Sequence, residues 1–351
     1  MSESDTEEQQ SQASHSSSSG ETTYGEGAHL RLEEGDAVGD YTVKDRIGVG
    51  QYGLVWTVDN DPGKVLKVMR ADPDYKEEVE NEVRLLRSFG CHDHVVCLLE
   101  DFEHAGHRVL AFERMRSDLF SIIHNEGWKD DDVDGLRLIR QVLRGVAALE
   151  EHKIVHLDLK PENILAGQGP DGQVVLKVCD FGTAQKIPVQ SIPNYGKTLE
   201  YRAPEIIMDL DAGWCGAKAD VWSAACIIYE ILGWMSTGHA RCLFEPRSVS
   251  LLEEELDDMD EENDLTHLYL VQEILGKIPK HLYRHCRQYF NVRGNLKGGI
   301  GKVYYCGFED LLEADEIGVH WIDFLQPMVR YNPKKRASAV DMLDHPFLHN
   351  K

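Results

Sequence analysis

Between Ile154 and Gly182 the chain reads IVHLDLKPENILAGQGPDGQVVLKVCDFG. Its chemistry-bearing residues are His156, Asp158, Lys160 and Asn163, followed after an apolar run by Asp180 in the triplet Asp180-Phe181-Gly182. These types in this order suit transfer of a phosphoryl group from a nucleotide to a hydroxyl. That reaction needs negative charge spread over phosphate oxygens to be held by magnesium, and magnesium takes hard oxygen ligands. Asp180 and Asn163 supply a carboxylate and an amide oxygen. Asp158 is placed to orient the attacking hydroxyl and take its proton, and Lys160 to neutralise the moving phosphoryl group. A solitary Asp-Phe-Gly is an ordinary turn and a solitary His-x-Asp an ordinary loop. Both in sequence, with Lys-Pro-Glu-Asn between them, point to a built site.

Other elements must position these groups. From Tyr41, YTVKDRIGVGQYGLVWTVD alternates apolar and polar residues around Gly48, Gly50 and Gly53, with Val55 following, as two strands joined by a hairpin do. Glycines let main-chain amides approach an anion closely. No helix follows the cluster, which disfavours a dinucleotide fold. A strand is expected over Lys64–Met69 and a helix over Tyr75–Phe89, with an acidic first turn and Val79, Val83 and Leu86 on one face. Lys67 and Glu82 are the expected pair: the lysine meets phosphates and the glutamate holds it in place. Glu82, rather than Glu78 or Glu80, precedes the apolar turn. Two more strands are expected over Val95–Phe112. Leu136, Ile139, Val142, Leu143, Val146 and Leu149 mark one face of a long helix that delivers the chain to His156.

With these residues in place, positions 41 to 348 resemble the eukaryotic protein-kinase superfamily. Tyr201-Arg202-Ala203-Pro204-Glu205 resembles its CMGC group. VLKVMRADPDYKEEVENEVRLLR, Leu157 in place of the usual arginine of His-Arg-Asp, and HLYLVQEILGKIPKHL are similar to the SR-protein kinases and LAMMER-type kinases. The resemblance implies an α+β, two-lobed kinase fold. A disordered acidic Ser-rich tail (1–38) would precede a kinase domain (39–349), with an N-lobe (39–113), a C-lobe (114–349) and a CMGC insert at about 239–305. It implies ATP and Mg2+ as cofactors, with Ile47, Gly48, Gly50, Gly53, Val55, Lys67, Glu82, Phe112, Glu113, Met115 and Leu165 around ATP, and Phe112 guarding the back of the pocket. His156, Tyr195, Thr198, Arg202, Glu205, Asp220 and Arg336 are implied to be structural or regulatory. Among these, Asp220 ties down the catalytic-loop backbone and Arg336 pairs with Glu205. The chain departs from the SR-protein kinases in having no long spacer between lobes, and from the LAMMER kinases in lacking Glu-His-Leu-Ala-Met-Met. Leu157 and Leu199 stand where arginines that receive an activation-loop phosphate are usual, so activity independent of that phosphate is expected.

Composition agrees with this reading. The formal net charge of −24 repels nucleic acid and favours basic partners, and residues 1–40 hold ten Asp or Glu against Arg31 alone. The substrates implied by the resemblance, serines in Arg/Ser-rich splicing factors, are basic. The longest apolar run, near Val221–Met235, carries Glu230 and is too short to span a membrane. Eight cysteines without metal or Cys-x-x-Cys spacing are expected to be reduced small hydrophobes. A monomer in the cytoplasm, the nucleus or both is expected.

Glu253, Glu254, Glu255, Asp257 and Asp258 begin an acidic run inside the expected insert and are candidates to dock arginine-rich substrate. The basic segment Lys277–Lys302 could instead neutralise that run. Two other functions compete with an SR-type kinase: a proline-directed or dual-specificity CMGC kinase, and a non-catalytic scaffold that binds basic proteins. The scaffold requires a missing part, and Lys67, Glu82, Asp158, Lys160, Asn163 and Asp180 are all present.

Overall fold

The computed structural model of the chain describes residues 29–50, 52–124, 133–189, 198–208, 216–245, 259–282, 286–297 and 306–349. The expected tail up to residue 28, Tyr195, and the docking candidates Glu253, Glu254, Glu255, Asp257 and Asp258 lie outside them.

The first half of the fold is an antiparallel sheet of six strands: β1 (Ala37–Val38), β2 (Tyr41–Val49), β3 (Gly53–Val58), β4 (Lys64–Met69), β5 (Leu98–His104) and β6 (His107–Glu113). Their order is β1-β2-β3-β4-β6-β5. Helix α1 (Lys76–Phe89) lies between β4 and β5 in sequence. Glu77 and Glu78 complement the positive end of its dipole, and it buries Val79, Glu82, Val83, Leu85 and Leu86. Gly90 stops it with φ of 61°, a left-handed conformation open to glycine. One face of the sheet packs Val38, Val43, Trp56, Leu66 and Val109 into a core of its own.

The second half is mainly helical. It begins with β7 (Ser117–Asp118) and α2 (Leu119–Ile123), followed by α3 (Gly135–Glu151). Asp134 caps α3 by accepting the N–H of Leu136 at 2.9 Å, and Leu138, Ile139, Val142, Leu143, Val146 and Leu149 are its buried face. The loops that carry the chemistry run through β8 (Ile154–Val155), β9 (Ile164–Gln168), β10 (Val174–Val178) and β11 (Gln185–Lys186). These form two small sheets, β10-β9-β7 and β11-β8. Then come α4 (Pro204–Ile207), α5 (Lys218–Thr237), α6 (Met259–Leu275), α7 (Phe308–Ala314), α8 (Ile322–Leu325) and α9 (Ala339–Leu343).

Helix α5 is buried on every side from Ala219 to Gly233, so its apolar run is the centre of a domain. No helix among the described residues is long and apolar enough to cross a membrane. Residues of α6 and the segment after it form a satellite core with Ile207 and Met208, fastening part of the expected insert beneath α4.

One expectation fails. Cys91 and Cys97 are joined by a disulfide. The turn between α1 and β5 brings their Cα atoms to 4.6 Å, a proximity that a six-residue separation without Cys-x-x-Cys spacing did not signal. Among the described residues Cys179, Cys226, Cys242, Cys286 and Cys306 take no part in a disulfide, and Cys226 and Cys286 are buried as expected.

Candidate active site

The sheet presents Lys67 from the middle of β4, in register with Val55 on β3 and Leu110 on β6. Its ammonium lies 2.8 and 3.1 Å from the two oxygens of Glu82 and 2.9 Å from Oδ1 of Asp180. The glutamate expected from sequence is thus the one that pairs. Burial works against the Lys67 ammonium, but Asp180 and Glu82 outweigh it and hold its pKa above the usual lysine range. The same cation, against burial, holds Asp180 below the usual carboxylate range. Glu82 is 1% exposed and Asp180 40%, so one carboxylate is an anchor and the other faces the cleft.

Below the sheet, Asn163 donates its amide N–H to the carbonyl of Asp158 at 2.7 Å and to its carboxylate at 3.0 Å. Lys160 reaches the same carboxylate at 3.2 Å and donates to Thr198 Oγ1 at 3.1 Å. The structure therefore joins Asp158, Lys160, Asn163 and Thr198 in one network. Because its amide nitrogen is engaged, Asn163 turns its carbonyl oxygen away, and that atom has no hydrogen bond among the described residues; nor has Asp180 Oδ2. Two hard oxygens left free suit a divalent cation that takes its remaining ligands from phosphates and water, the way magnesium is usually held. No cluster of three or more His, Cys, Asp or Glu competes for a metal among the described residues.

The backbone beneath this network is fixed by Asp220. Its two carboxylate oxygens accept the N–H groups of His156 (2.7 Å) and Leu157 (3.1 Å). Leu157 has φ of 68°, a left-handed conformation that costs a non-glycine residue about 1–2 kcal/mol, and the Asp220 clamp offsets that cost. Burial pushes the Asp220 carboxyl up to about 7, while the two N–H donors pull it down. His156 is fully buried, and burial lowers its pKa, so the ring is neutral. Its Nε2 faces the Cys179 carbonyl at 2.8 Å and its Nδ1 accepts the Asp158 N–H at 3.3 Å, which assigns the proton to Nε2. The imidazole thereby joins the two loops. Phe181 completes the joint, with ring centroids 5.2 Å from His156 and 5.5 Å from Phe89 at the end of α1.

Glu205 and Arg336 meet through two parallel contacts of 2.6 and 2.8 Å, both fully buried, as expected. Arg336 also donates to the carbonyls of Lys218 and Arg330 and stacks 5.2 Å over Trp222. Arg202 lies 3.8 Å from Asp264 on α6, which links the end of the activation segment to the expected insert.

Several expected nucleotide contacts are refined. Gly53 is glycine because a Cβ there would fall 2.5 Å from the Val68 carbonyl oxygen, a demand of sheet packing. A Cβ on Gly48 would meet Val55 at 3.3 Å, whereas Gly50 has room and bonds its N–H to Gly53 O. Ile47 is 55% exposed near the end of β2, Leu165 half-buried on β9, and Phe112 buried in the main core. The Glu113 carboxylate accepts the Cys97 N–H at 2.9 Å and pairs with Lys177 at 2.6 Å. The Met115 side chain lies against Gly167. Both side chains are engaged behind the connector, so adenine contacts there fall to the main chain.

Sequence reading missed Tyr52. Its ring, at the tip of the glycine hairpin, covers Gly182, where a Cβ would come within 2.8 Å of it, and meets Tyr75 edge to face at 5.5 Å. An aromatic residue inside the glycine cluster was the available signal. Asn81, which donates to Ala184 O at 2.8 Å, and Thr183, which donates to His156 O at 2.8 Å, gave none.

Comparison with known proteins agrees with this geometry. Residues 41–348 match the family model described as protein kinase domain. The chain is 27% identical to a serine/threonine-protein kinase SRPK of Physarum polycephalum, over 94% of this chain and 91% of that protein. It is also 27% identical to the dual specificity protein kinase CLK1 of Homo sapiens, over 92% of this chain and 69% of the relative. Mitogen-activated protein kinase 15 of Mus musculus is equally identical at 27%, over 88% of this chain and 53% of the relative. The fold is shared with a chain of the yeast RNA Pol II CTD kinase CTDK-1 complex, at a TM-score of 0.68 and 21% identity, covering 92% of this chain and 96% of that one. The chain belongs to the protein kinase family, and with these relatives it is a serine/threonine protein kinase of the CMGC group.

Proposed function

We propose that this kinase transfers the γ-phosphoryl group of Mg-ATP to serine in basic, Arg/Ser-rich proteins. The observation that carries the catalytic part is the Lys67 ammonium shared between Glu82 and Asp180, above a hydrogen-bonded Asp158–Asn163–Lys160 network. Bound Mg-ATP supplies the phosphoryl donor and the neutralisation of charge on its oxygens. Asn163 and Asp180 hold the metal. Lys67 holds the nucleotide phosphates, and Glu82 keeps Lys67 from following Asp180. Asp158 accepts the serine Oγ–H and takes its proton as the new O–P bond forms and the bond to the departing ADP breaks. Lys160 faces the transferring group, and Thr198 keeps Lys160 directed there. Gly48, Gly50, Val55, Ile47, Leu165, Phe112 and the Glu113–Met115 main chain enclose the nucleotide. The working unit is the domain 39–349 as a monomer, and it binds neither nucleic acid nor membrane.

Two facts support the substrate class. The net charge is −24, and the SRPK relative aligns over nearly the whole of both chains. The mouse mitogen-activated protein kinase, equally identical, supports a second reading as a proline-directed kinase. Labelled phosphate transfer from Mg-ATP to an Arg-Ser repeat peptide and to a Ser-Pro peptide of equal length separates them. A higher kcat/KM on the Arg-Ser peptide is expected. Preference for Ser-Pro establishes the second reading, and transfer to neither overturns both.

A further inference from the structure

A cleft of about 770 Å3 opens behind the connector and shares only Glu113 and Met115 with the expected active-site residues. Its walls come from α3, the β9–β10 hairpin and the loop around His94. Arg137, Arg140 and Arg144 are spaced three and four apart on α3, so they line one face of that helix. Arg114 and Lys177 add two more cationic side chains, in a chain whose net charge is −24.

Among the described residues, neutralisation inside the cleft is incomplete. Lys177 is paired with Glu113 at 2.6 Å and Arg137 with Asp171 at 3.0 Å. Arg140 donates Nε at 3.1 Å, and Nη2, to the Leu348 carbonyl, which orients the guanidinium without cancelling its charge. The exposed side chains of Arg114 and Arg144 have no hydrogen-bond or ion-pair partner among the described residues. Of the other two carboxylates on the wall, Asp134 is engaged in capping α3, which leaves Asp93. Like charges at this helical spacing repel, and Arg137 stands in the first turn of α3 at the positive end of its dipole, so the arrangement favours an anion as neighbour.

We propose that this cleft docks a short anionic peptide segment of a partner protein, carrying phosphoserines or clustered Asp and Glu. Arginine forks are suited to both groups through paired N–H donors. The phosphorylated product of the kinase itself has this chemistry. A nucleic acid fits less well: its charges repeat along an extended backbone, and beyond the cleft it would meet a surface that repels it within a Debye length of about 8–10 Å.

The test is fluorescence anisotropy with the full chain and four labelled probes of equal length. These are a Gly-Ser peptide with several phosphoserines, the same peptide with glutamates in their place, the unmodified peptide, and single-stranded DNA. The two anionic peptides should bind, the neutral peptide should not, and saturating Mg-ATP should leave binding intact, which separates the cleft from product retained at the active site. Binding of only one anionic peptide still supports the proposal and identifies the source of the anion. Arg144→Glu, and separately Arg137→Glu, should weaken binding about tenfold or more. Turnover of a short serine peptide by Arg144→Glu should stay unchanged. No binding of either anionic peptide, DNA binding as tight as theirs, or parental affinity in both variants overturns the proposal. None of these outcomes depends on preference for Arg-Ser substrates.

Discussion

Two of the cation–carboxylate assemblies among the described residues are built in opposite ways. Lys67 is a single ammonium shared between a buried glutamate and an aspartate open to the cleft, with no other donor geometry to satisfy. Arg336 is a guanidinium with every side of its fork in use: Glu205 twice, two main-chain carbonyls, and the face of Trp222. A point charge on a flexible stem can be passed from Asp180 to a phosphate. A planar fork closed on four oxygens cannot move without leaving a buried charge unpaired. The first assembly is therefore a working contact and the second a fastening, and variants of each should fail differently.

The largest expected effect is on rate. Lys67→Met and Asp180→Ala should each lower turnover by about 10³-fold or more, because each removes a charge that the phosphates require, and Asp180→Ala should do so with little change in the urea midpoint. Purified Asp180→Ala turning over within a few-fold of the parent would end the metal-ligand assignment. Arg336→Ala should do the reverse, losing about 3–5 kcal/mol in urea denaturation while folded molecules, counted by nucleotide binding, keep their rate. Arg336→Lys should recover little of that stability, since an ammonium cannot reproduce the paired contacts. Full recovery by lysine would show that charge alone holds Glu205.

A smaller effect concerns pH. His267 is buried beside Arg202, and burial first, then that cation, lower its pKa to about 3. A folded pKa below the ordinary value of about 6.5 means that His267 contributes its stability in full above pH 6.5 and loses it as pH falls. Asp220, raised to about 7, and Glu230, raised to about 8, act in the opposite direction, losing their contribution as pH rises. The parent profile is therefore a partial cancellation, and the difference between variants is the informative quantity. Relative to His267→Gln, the parent should gain about 1.4 kcal/mol per pH unit between about pH 4 and 5.5, with the gain tailing off through about pH 6.5 and little further above about 7.5. Parallel profiles would show that the ring is free to charge. The smallest expected effect is none: phosphatase treatment should leave turnover within about twofold, because Leu157 and Leu199 offer no cation to an activation-loop phosphate. A tenfold loss would reverse that reading.

Much of the site was legible because its chemistry fixes residue types at short spacings. Asp158, Lys160 and Asn163 occupy one loop, and Glu82 follows Lys67 by a strand-to-helix step that periodicity reveals. What stayed hidden depends on pairs far apart in the chain or on faces that periodicity ignores. Ile139, Val142 and Val146 mark the buried side of helix α3, and nothing in that pattern singles out the arginines between them. Gly53 looked like a phosphate-binding glycine, yet the constraint on it comes from Val68 on the neighbouring strand. Cys91 and Cys97 meet only because α1 ends where it does.

The Tyr52 ring over Gly182 has a kinetic consequence. The glycine hairpin and the metal loop share one aromatic contact, and Tyr52 is almost fully buried in it. Lifting the hairpin away from the metal loop would strip that ring from Gly182 and from Tyr75. Exposing it costs on the order of a few kcal/mol of apolar burial. Tyr52→Ala should therefore release ADP faster than the parent, read by stopped-flow with a fluorescent ADP, and an unchanged release rate would show that the ring does not retain the product.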